Sequence, residues 1–215
     1  MATYTRNNET INGNSGSTDY HQGTSAADSV SITNITVVSG GPVTVNDYWE
    51  PYTVNGGVMI YDGKDGNDTM TGRNLKIEGG LFQFIGGEQN DKLSVNSANV
   101  SDGSLKVNGG WDNDSLNVSN VTVSGGNAYV HGDTGTDTVS VSKVSVTGGN
   151  FIQRDHGRSN VNTASEVTIQ GGRFEVSTGI RRTRQRYYFC FKSLCYKTEQ
   201  LLQRRRRSFN LRRRQ

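Results

Sequence analysis

Asp68, Asp91, Asp114 and Asp137 follow one another at intervals of 23 residues, and Asn160 fills the next slot. A carboxylate returning at one fixed interval has two chemical uses. Its oxygens can hold a hard cation, or they can accept nearby backbone N–H groups and shape a turn. Copies stacked at the about 4.8 Å spacing of neighbouring strands repel one another unless a cation or hydrogen bonds intervene. Asp62, Asp65, Glu88, Asp112 and Asp133 lie in the same segments and make that edge more negative.

A second polar group, Gln153, Arg154, Asp155, His156, Gly157 and Arg158, replaces apolar and Gly positions of the earlier repeats. A carboxylate, an imidazole and two guanidiniums can in principle abstract a proton and stabilise an enolate, so a β-helical polysaccharide lyase or hydrolase is the alternative class. The plainer account is a degraded repeat. His21, His131 and His156 show no metal-ligand spacing, and no nucleophile elbow, phosphate loop or zinc signature occurs. The expectation is a protein that is not an enzyme.

The same 23-residue step runs through the residues around the Asp column. Gly63, Gly86, Gly109 and Gly132 keep it, as do the first glycines of the pairs at Gly56, Gly79, Gly125, Gly148 and Gly171, with Asp102 once in that place. Apolar columns share the register: Val54, Ile77, Val100, Val123, Val146 and Ile169 form one, and Phe82, Leu105, Ala128, Phe151 and Phe174 another. Within a unit, apolar residues alternate with Ser, Thr and Lys, the period of a half-buried strand. Three short runs, separated by a polar kink and by Gly turns, make one coil. One coil cannot offset the entropy of ordering its own backbone, but stacked coils close a common core.

The predicted fold is therefore all-β, a parallel β-helix or β-solenoid of about six 23-residue rungs. Residues 1–20 are expected as a polar cap or disordered segment, 21–179 as the solenoid and 180–215 as an irregular basic tail. After Gly40 and Gly41 the next Gly pair arrives early, through PVTVNDYWEPYTV. That rung is expected to lack its Asp turn and to hold an irregular segment with Tyr48, Trp49 and Tyr52.

The turns read DGKDGNDTMTG from Asp62, GGEQNDKLSV from Gly86, GGWDNDSLNV from Gly109 and HGDTGTDTVSV from His131. They resemble the RTX, or hemolysin-type, calcium-binding nonapeptide G-G-x-G-x-D-x-L-x. The resemblance implies Ca²⁺ between stacked turns, with Asp68, Asp91, Asp114 and Asp137 as carboxylate ligands and turn glycines exposing carbonyls. Asp65, Asp112 and Asp133 complete the expected metal-binding set. No copy has all three motif glycines: Lys64 and Asp133 replace the second, Gln89 and Asp112 the third. The motif recurs every 23 residues where the family repeats it every nine, which limits calcium to one edge of the rod.

The formal charge of +3 combines −9 over residues 1–180 with +12 over 181–215. The tail lacks glycine and β alternation, and its Arg runs are what Gly codons give when read one base out of frame. A shifted or truncated frame is one account, and a basic arm for nucleic acid or anionic membrane, with Tyr187, Tyr188 and Phe189, is another. Cys190 and Cys195 have no matching His or Cys cluster. The N-terminus has no signal-peptide pattern and no apolar run reaches membrane-spanning length. The resemblance implies a secreted or cell-surface protein, of bacterial type, acting as a structural spacer or adhesin fragment. Its expected partners are calcium and a surface glycan or protein receptor, with no nucleic acid expected for the repeats and with end-to-end self-association at open strand edges. A structural spacer without calcium stays open beside it.

Overall fold

A computed structural model describes residues 2–11, 18–45, 52–154, 156, 161–178 and 183–187. Its strands are β1 (Thr3–Ile11), β2 (Thr18–Gln22), β3 (Ser29–Val37), β4 (Pro42–Val45), β5 (Tyr52–Asn55), β6 (Val58–Asp62), β7 (Thr69–Gly87) and β8 (Lys92–Trp111). They continue as β9 (Ser115–Val123), β10 (Asn127–Thr134), β11 (Thr138–Val146), β12 (Asn150–Arg154), β13 (Val161–Ile169), β14 (Arg173–Thr178) and β15 (Thr183–Tyr187). The described chain holds no helix.

These strands stack as a parallel β-solenoid of about seven turns. One face is the ladder of β1, β3, the first half of β7, the first half of β8, β9, β11 and β13. The other is β2, β6, the second halves of β7 and β8, β10, β12 and β14. From Ile77 onward the register is the one the columns predict, with Val95 beside Val118 and Val118 beside Val141, whereas Val54 leaves its column to pair with Val43 and Val37 stands beside Ile77. Val95, Val118, Val141 and Val146 are wholly buried, while Thr69, Ser115 and Thr138 on the alternate positions face water. Each buried aliphatic side chain contributes about 1.5–3 kcal/mol, and the wider coils are filled by Tyr61, Phe82 and Phe84, whose rings meet edge to face at 5.0 Å in the last two.

The polar kink is one left-handed residue in the middle of each first-face strand: Asn8, Asn34, Asn74, Ser97, Asn120, Lys143 and Glu166, with φ between 52° and 70°. Asn dominates the column because its short amide tolerates this conformation and bonds locally. Asn74 donates from its Nδ2 to Asn34 Oδ1 at 3.0 Å, so the kinks are tied from coil to coil.

The first coil is built differently inside. Tyr4, Arg6, Glu9, Asp19 and His21 occupy positions that hold Val30, Ile32, Ile35, Met59 and Tyr61 in the next coil. Arg6 pairs with Asp19 and, at 3.2 Å, with Glu9, while the Tyr4 hydroxyl meets His21 Nε2 at 2.9 Å. An ionic and aromatic network thus covers the apolar core, as the end repeat of a solenoid requires. At the other end β15 adds to β14 in antiparallel fashion. The rest of the basic tail, with Cys190, Cys195, Tyr188 and Phe189, lies outside the described residues.

The segment after Gly41 departs from expectation. Asp28 and Asp68 are adjacent in the stack although 40 residues apart, against 23 for Asp68 and Asp91. The rung therefore keeps its Asp turn, and the extra residues enter at the Gly-pair turn as an antiparallel hairpin of β4 and β5. Tyr48 and Trp49 lie outside the described residues. Val43 and Val45 of the hairpin cover Val58, Ile60 and Leu81 on the outer side of the second face. The described part of the stretch expected to be an irregular segment is a hairpin with one apolar side. Deleting residues 39–55 restores a 23-residue rung. The solenoid is expected to keep its far-ultraviolet circular dichroism but to bind a hydrophobic dye and aggregate, because Val58, Ile60 and Leu81 become exposed.

Candidate functional site

The Asp turns occupy one edge of the rod, between the second face of one coil and the first face of the next. Two backbone positions in each turn need positive φ. The first holds Lys64, Gly87, Gly110 and Asp133, at 72°, 113°, 109° and 75°; the second holds Gly66, Gln89, Asp112 and Gly135, at 121°, 77°, 75° and 152°. The non-glycine substitutes thus keep the backbone of the motif, at a cost of about 1–2 kcal/mol each.

The column Asp68, Asp91, Asp114 and Asp137 points inward and is no more than 3 % exposed. Each Oδ1 accepts the backbone N–H of the preceding coil's aspartate. Asp28 donates to Asp68 at 2.6 Å, Asp68 to Asp91 at 2.7 Å, Asp91 to Asp114 at 2.8 Å and Asp114 to Asp137 at 2.9 Å. Asp28 heads the ladder, with its own carboxylate receiving the N–H groups of Ala2 and Thr24.

Beside it runs a second ladder of opposite sense. Asn90 N–H donates to Asn67 Oδ1 at 3.0 Å, Asn113 N–H to Asn90 Oδ1 at 3.0 Å and Thr136 N–H to Asn113 Oδ1 at 2.8 Å. Each turn therefore grips both of its neighbours through adjacent residues. Asn67, Asn90 and Asn113 were not singled out from the sequence, although they too recur every 23 residues. Their role is legible only once the turns are stacked.

The second carboxylate oxygens are the unusual atoms of this edge. Oδ2 of Asp68, Asp91 and Asp114 is buried and has no hydrogen-bond partner. Each lies over the Cα of the first glycine of its own turn, Gly63, Gly86 or Gly109, close to the carbonyl oxygen of Gly86, Gly109 or Gly132 in the next coil. A Cβ on any of these glycines would come closer than 3.0 Å to both oxygens. The invariant glycine column is a steric demand of the buried carboxylates.

Burial raises these carboxyls, and the neighbouring column members add to the rise against the lowering effect of the accepted N–H. Asp68 is pushed up to about 6, Asp91 to about 7 and Asp114 to about 8. Asp28 goes the other way: burial pushes it up, but the N–H groups of Ala2 and Thr24 and the Thr24 hydroxyl outweigh that and hold it low.

Asp65 and Asp112 are exposed and Asp133 is half-buried. Asp112 accepts the Gln89 N–H at 3.2 Å, and Asp133 meets His156 Nδ1 at 3.2 Å. The seven aspartates thus divide into an inward column and an outward set. No three His, Cys, Asp or Glu side chains among the described residues form a metal-binding group. The oxygen donors the edge does bring together are one buried carboxylate oxygen and glycine carbonyls, repeated once per coil. That set suits a hard cation that accepts main-chain oxygens.

The polar group near His156 disperses. Gln153 is buried and donates to Val139 O at 3.2 Å and to Asn162 Oδ1 at 2.9 Å. Arg154 lies on the outer side beside His131, and His156 is exposed at the Asp edge. Asp155, Gly157, Arg158 and Asn160 lie outside the described residues.

Fold and site together define a repeat protein of the β-solenoid class. Comparison with protein-family models, curated proteins and solved structures returns no match.

Proposed function

We propose that this solenoid is a secreted or cell-surface structural repeat protein, a rigid spacer or adhesin fragment of RTX type, that takes up Ca²⁺ along its Asp edge. The supporting observation is the row of buried Asp68, Asp91 and Asp114 Oδ2 atoms without hydrogen-bond partners. Ionised carboxylates buried at one-coil spacing destabilise the stack. A bound dication removes that cost and supplies the missing partner. Asp68, Asp91, Asp114 and Asp137 with the carbonyls of Gly86, Gly109 and Gly132 would hold it, and the outward Asp65, Asp112 and Asp133 would raise its local concentration.

Calcium-dependent folding suits export, because a chain that closes only outside the cell meets its cation there. Thermal unfolding at pH 8 is expected to shift upward by several degrees when EDTA is replaced by 100-fold excess Ca²⁺ over the dissociation constant, which corresponds to about 2.7 kcal/mol. An unfolding midpoint unchanged up to about 10 mM Ca²⁺, a concentration far above ordinary sensor affinities, assigns the chain to the calcium-free spacer instead.

A further inference from the structure

The outer side of the second face is where the repeat columns stop repeating. On the first face the outward residues of successive coils are nearly all Ser, Thr and Asn: Thr5, Ser31, Thr71, Ser94, Asn117 and Ser140 form one column. The matching column on the second face runs Ile60, Gln83, Lys106, Tyr129, Ile152 and Glu175. The hairpin that covers Ile60 accounts for that residue, but stacking requires only an outward side chain at the next places, so the long and chemically unlike Gln83, Lys106 and Tyr129 are not explained by it.

Gln83, Lys106 and Tyr129 of this column floor a groove. Thr53, Val54 and Asn55 of the inserted hairpin wall one end, and the concavity of about 760 Å³ continues over Gln83, Lys106 and Asn127 to Tyr129 and His131. Its size falls within the range of small-molecule sites. Among the described residues the hairpin occurs in one rung alone, so the groove it walls breaks the periodicity of the rod.

Its lining is amide, hydroxyl and aromatic. Asn55 and Asn108 each carry both a donor and an acceptor, Asn127 keeps its Nδ2 donor while its Oδ1 accepts from Asn150 at 2.8 Å, Ser104 adds a hydroxyl, and Tyr129 presents a partly exposed ring. His131 contributes as a neutral imidazole: burial first, and then the Arg154 charge, lower it to about 4. The charged lining residues are of both signs, Lys106 with Asp102 and Asp133. Amide and hydroxyl groups on neighbouring columns, beside an aromatic face and without a dominant charge, recognise a ligand whose surface alternates hydroxyls with C–H groups.

We infer that the groove between the β4–β5 hairpin and Tyr129 is a binding site for a neutral oligosaccharide of a few sugar units, with Tyr129 as the stacking platform, the Asn127 Nδ2 as a hydroxyl-binding donor and Asn108 Oδ1, which has no hydrogen-bond partner among the described residues, as an acceptor. The site is independent of the Asp edge, and its test is run with the calcium content held constant.

Calorimetric titration of the full chain with two probes, a neutral β-1,4-linked glucose hexasaccharide and an oligogalacturonate of similar length, reads the outcome. The neutral probe is expected to bind in the micromolar to millimolar range, and Tyr129→Ala to weaken it by about 10-fold, the effect of losing about 1.4 kcal/mol. Tyr129→Phe should restore most of the affinity, and circular dichroism and the melting midpoint should match the parent in both variants. Absence of neutral-probe binding at about 10 mM, binding of the acidic probe alone, or binding undiminished in Tyr129→Ala each overturns the inference. Loss of binding in Tyr129→Phe as severe as in Tyr129→Ala overturns the stacking role.

Discussion

In EDTA the unfolding midpoint of this protein is expected to fall as pH rises from 6.5 to 9. The folded carboxyls of Asp68, Asp91 and Asp114 stand at about 6, about 7 and about 8, all above their unfolded value. A raised carboxyl binds its proton more tightly in the folded chain. Its contribution is complete below the unfolded pKa of about 3.9 and is lost as pH climbs through the folded value. Asp91 and Asp114 carry the loss above pH 6.5, on the order of 3 kcal/mol or about 10 °C.

His131 acts in the opposite direction but at lower pH. Its folded value is depressed to about 4, so its contribution is present above the unfolded pKa of about 6.5 and fades as pH falls. The window above 6.5 therefore isolates the aspartates.

Asp114→Asn sharpens the experiment. The amide keeps an Oδ1 to accept the Asp91 N–H, which is 2.8 Å from it, and cannot ionise. The variant is expected to flatten the fall and to melt above the parent at pH 9 without calcium. Asp114→Ala removes the acceptor as well and is expected to be less stable than Asp114→Asn at every pH, by about 1–3 kcal/mol. A midpoint that holds level or rises between pH 6.5 and 9, or an unchanged slope in Asp114→Asn, shows that the column is not proton-linked.

Gly86→Ala should be among the most damaging substitutions in the chain. Gly86 is buried in the middle of the stack, and a methyl group there would meet the Gly109 carbonyl oxygen and Asp91 Oδ2 well inside contact distance. One obstacle is backbone of the next coil and the other is held by the Asp ladder, so neither can swing aside. The expected cost is about 3 kcal/mol or more, at the upper end for overpacking. Because coils contact only their neighbours, the damage should divide the rod, with amide exchange quickening first in β7 and β8. Ser115→Ala, at an exposed position of the next coil, should change stability by less than about 0.5 kcal/mol. A Gly86→Ala chain that melts within a degree or two of the parent removes the steric account of the glycine column.

Much of the coil was legible in residue order alone. Alternation of Val and Ile with Ser and Thr marks faces, and recurrence of Gly, Asp and Val columns at 23 residues marks coils, because both are properties of a single strand repeated. The kink at Asn34, Asn74 and Asn120 was legible for the same reason, since αL geometry is a local preference of Asn.

The insertion was expected as an irregular rung because its Gly pair arrives early and Val54 falls on the 23-residue column of Ile77. Only the docking of Pro42–Val45 and Tyr52–Asn55 on Val58, Ile60 and Leu81 separates an insertion from a coil. The Asp turns were legible as positions and not as directions. A carboxylate at a turn looks equally suited to solvent, to a cation or to a backbone amide until the next coil is in place.

By itself, then, the sequence determined that this chain stacks, at what interval, and which side chains face its core, since periodicity and alternation act within each coil. Tertiary structure decided that the Asp column turns inward while Asp65 and Asp112 face water, and that one outer face becomes a groove. Those outcomes depend on atoms of a neighbouring coil 23 or 40 residues away, whose carbonyls, amides and docked hairpin set the space and the partners each side chain finds.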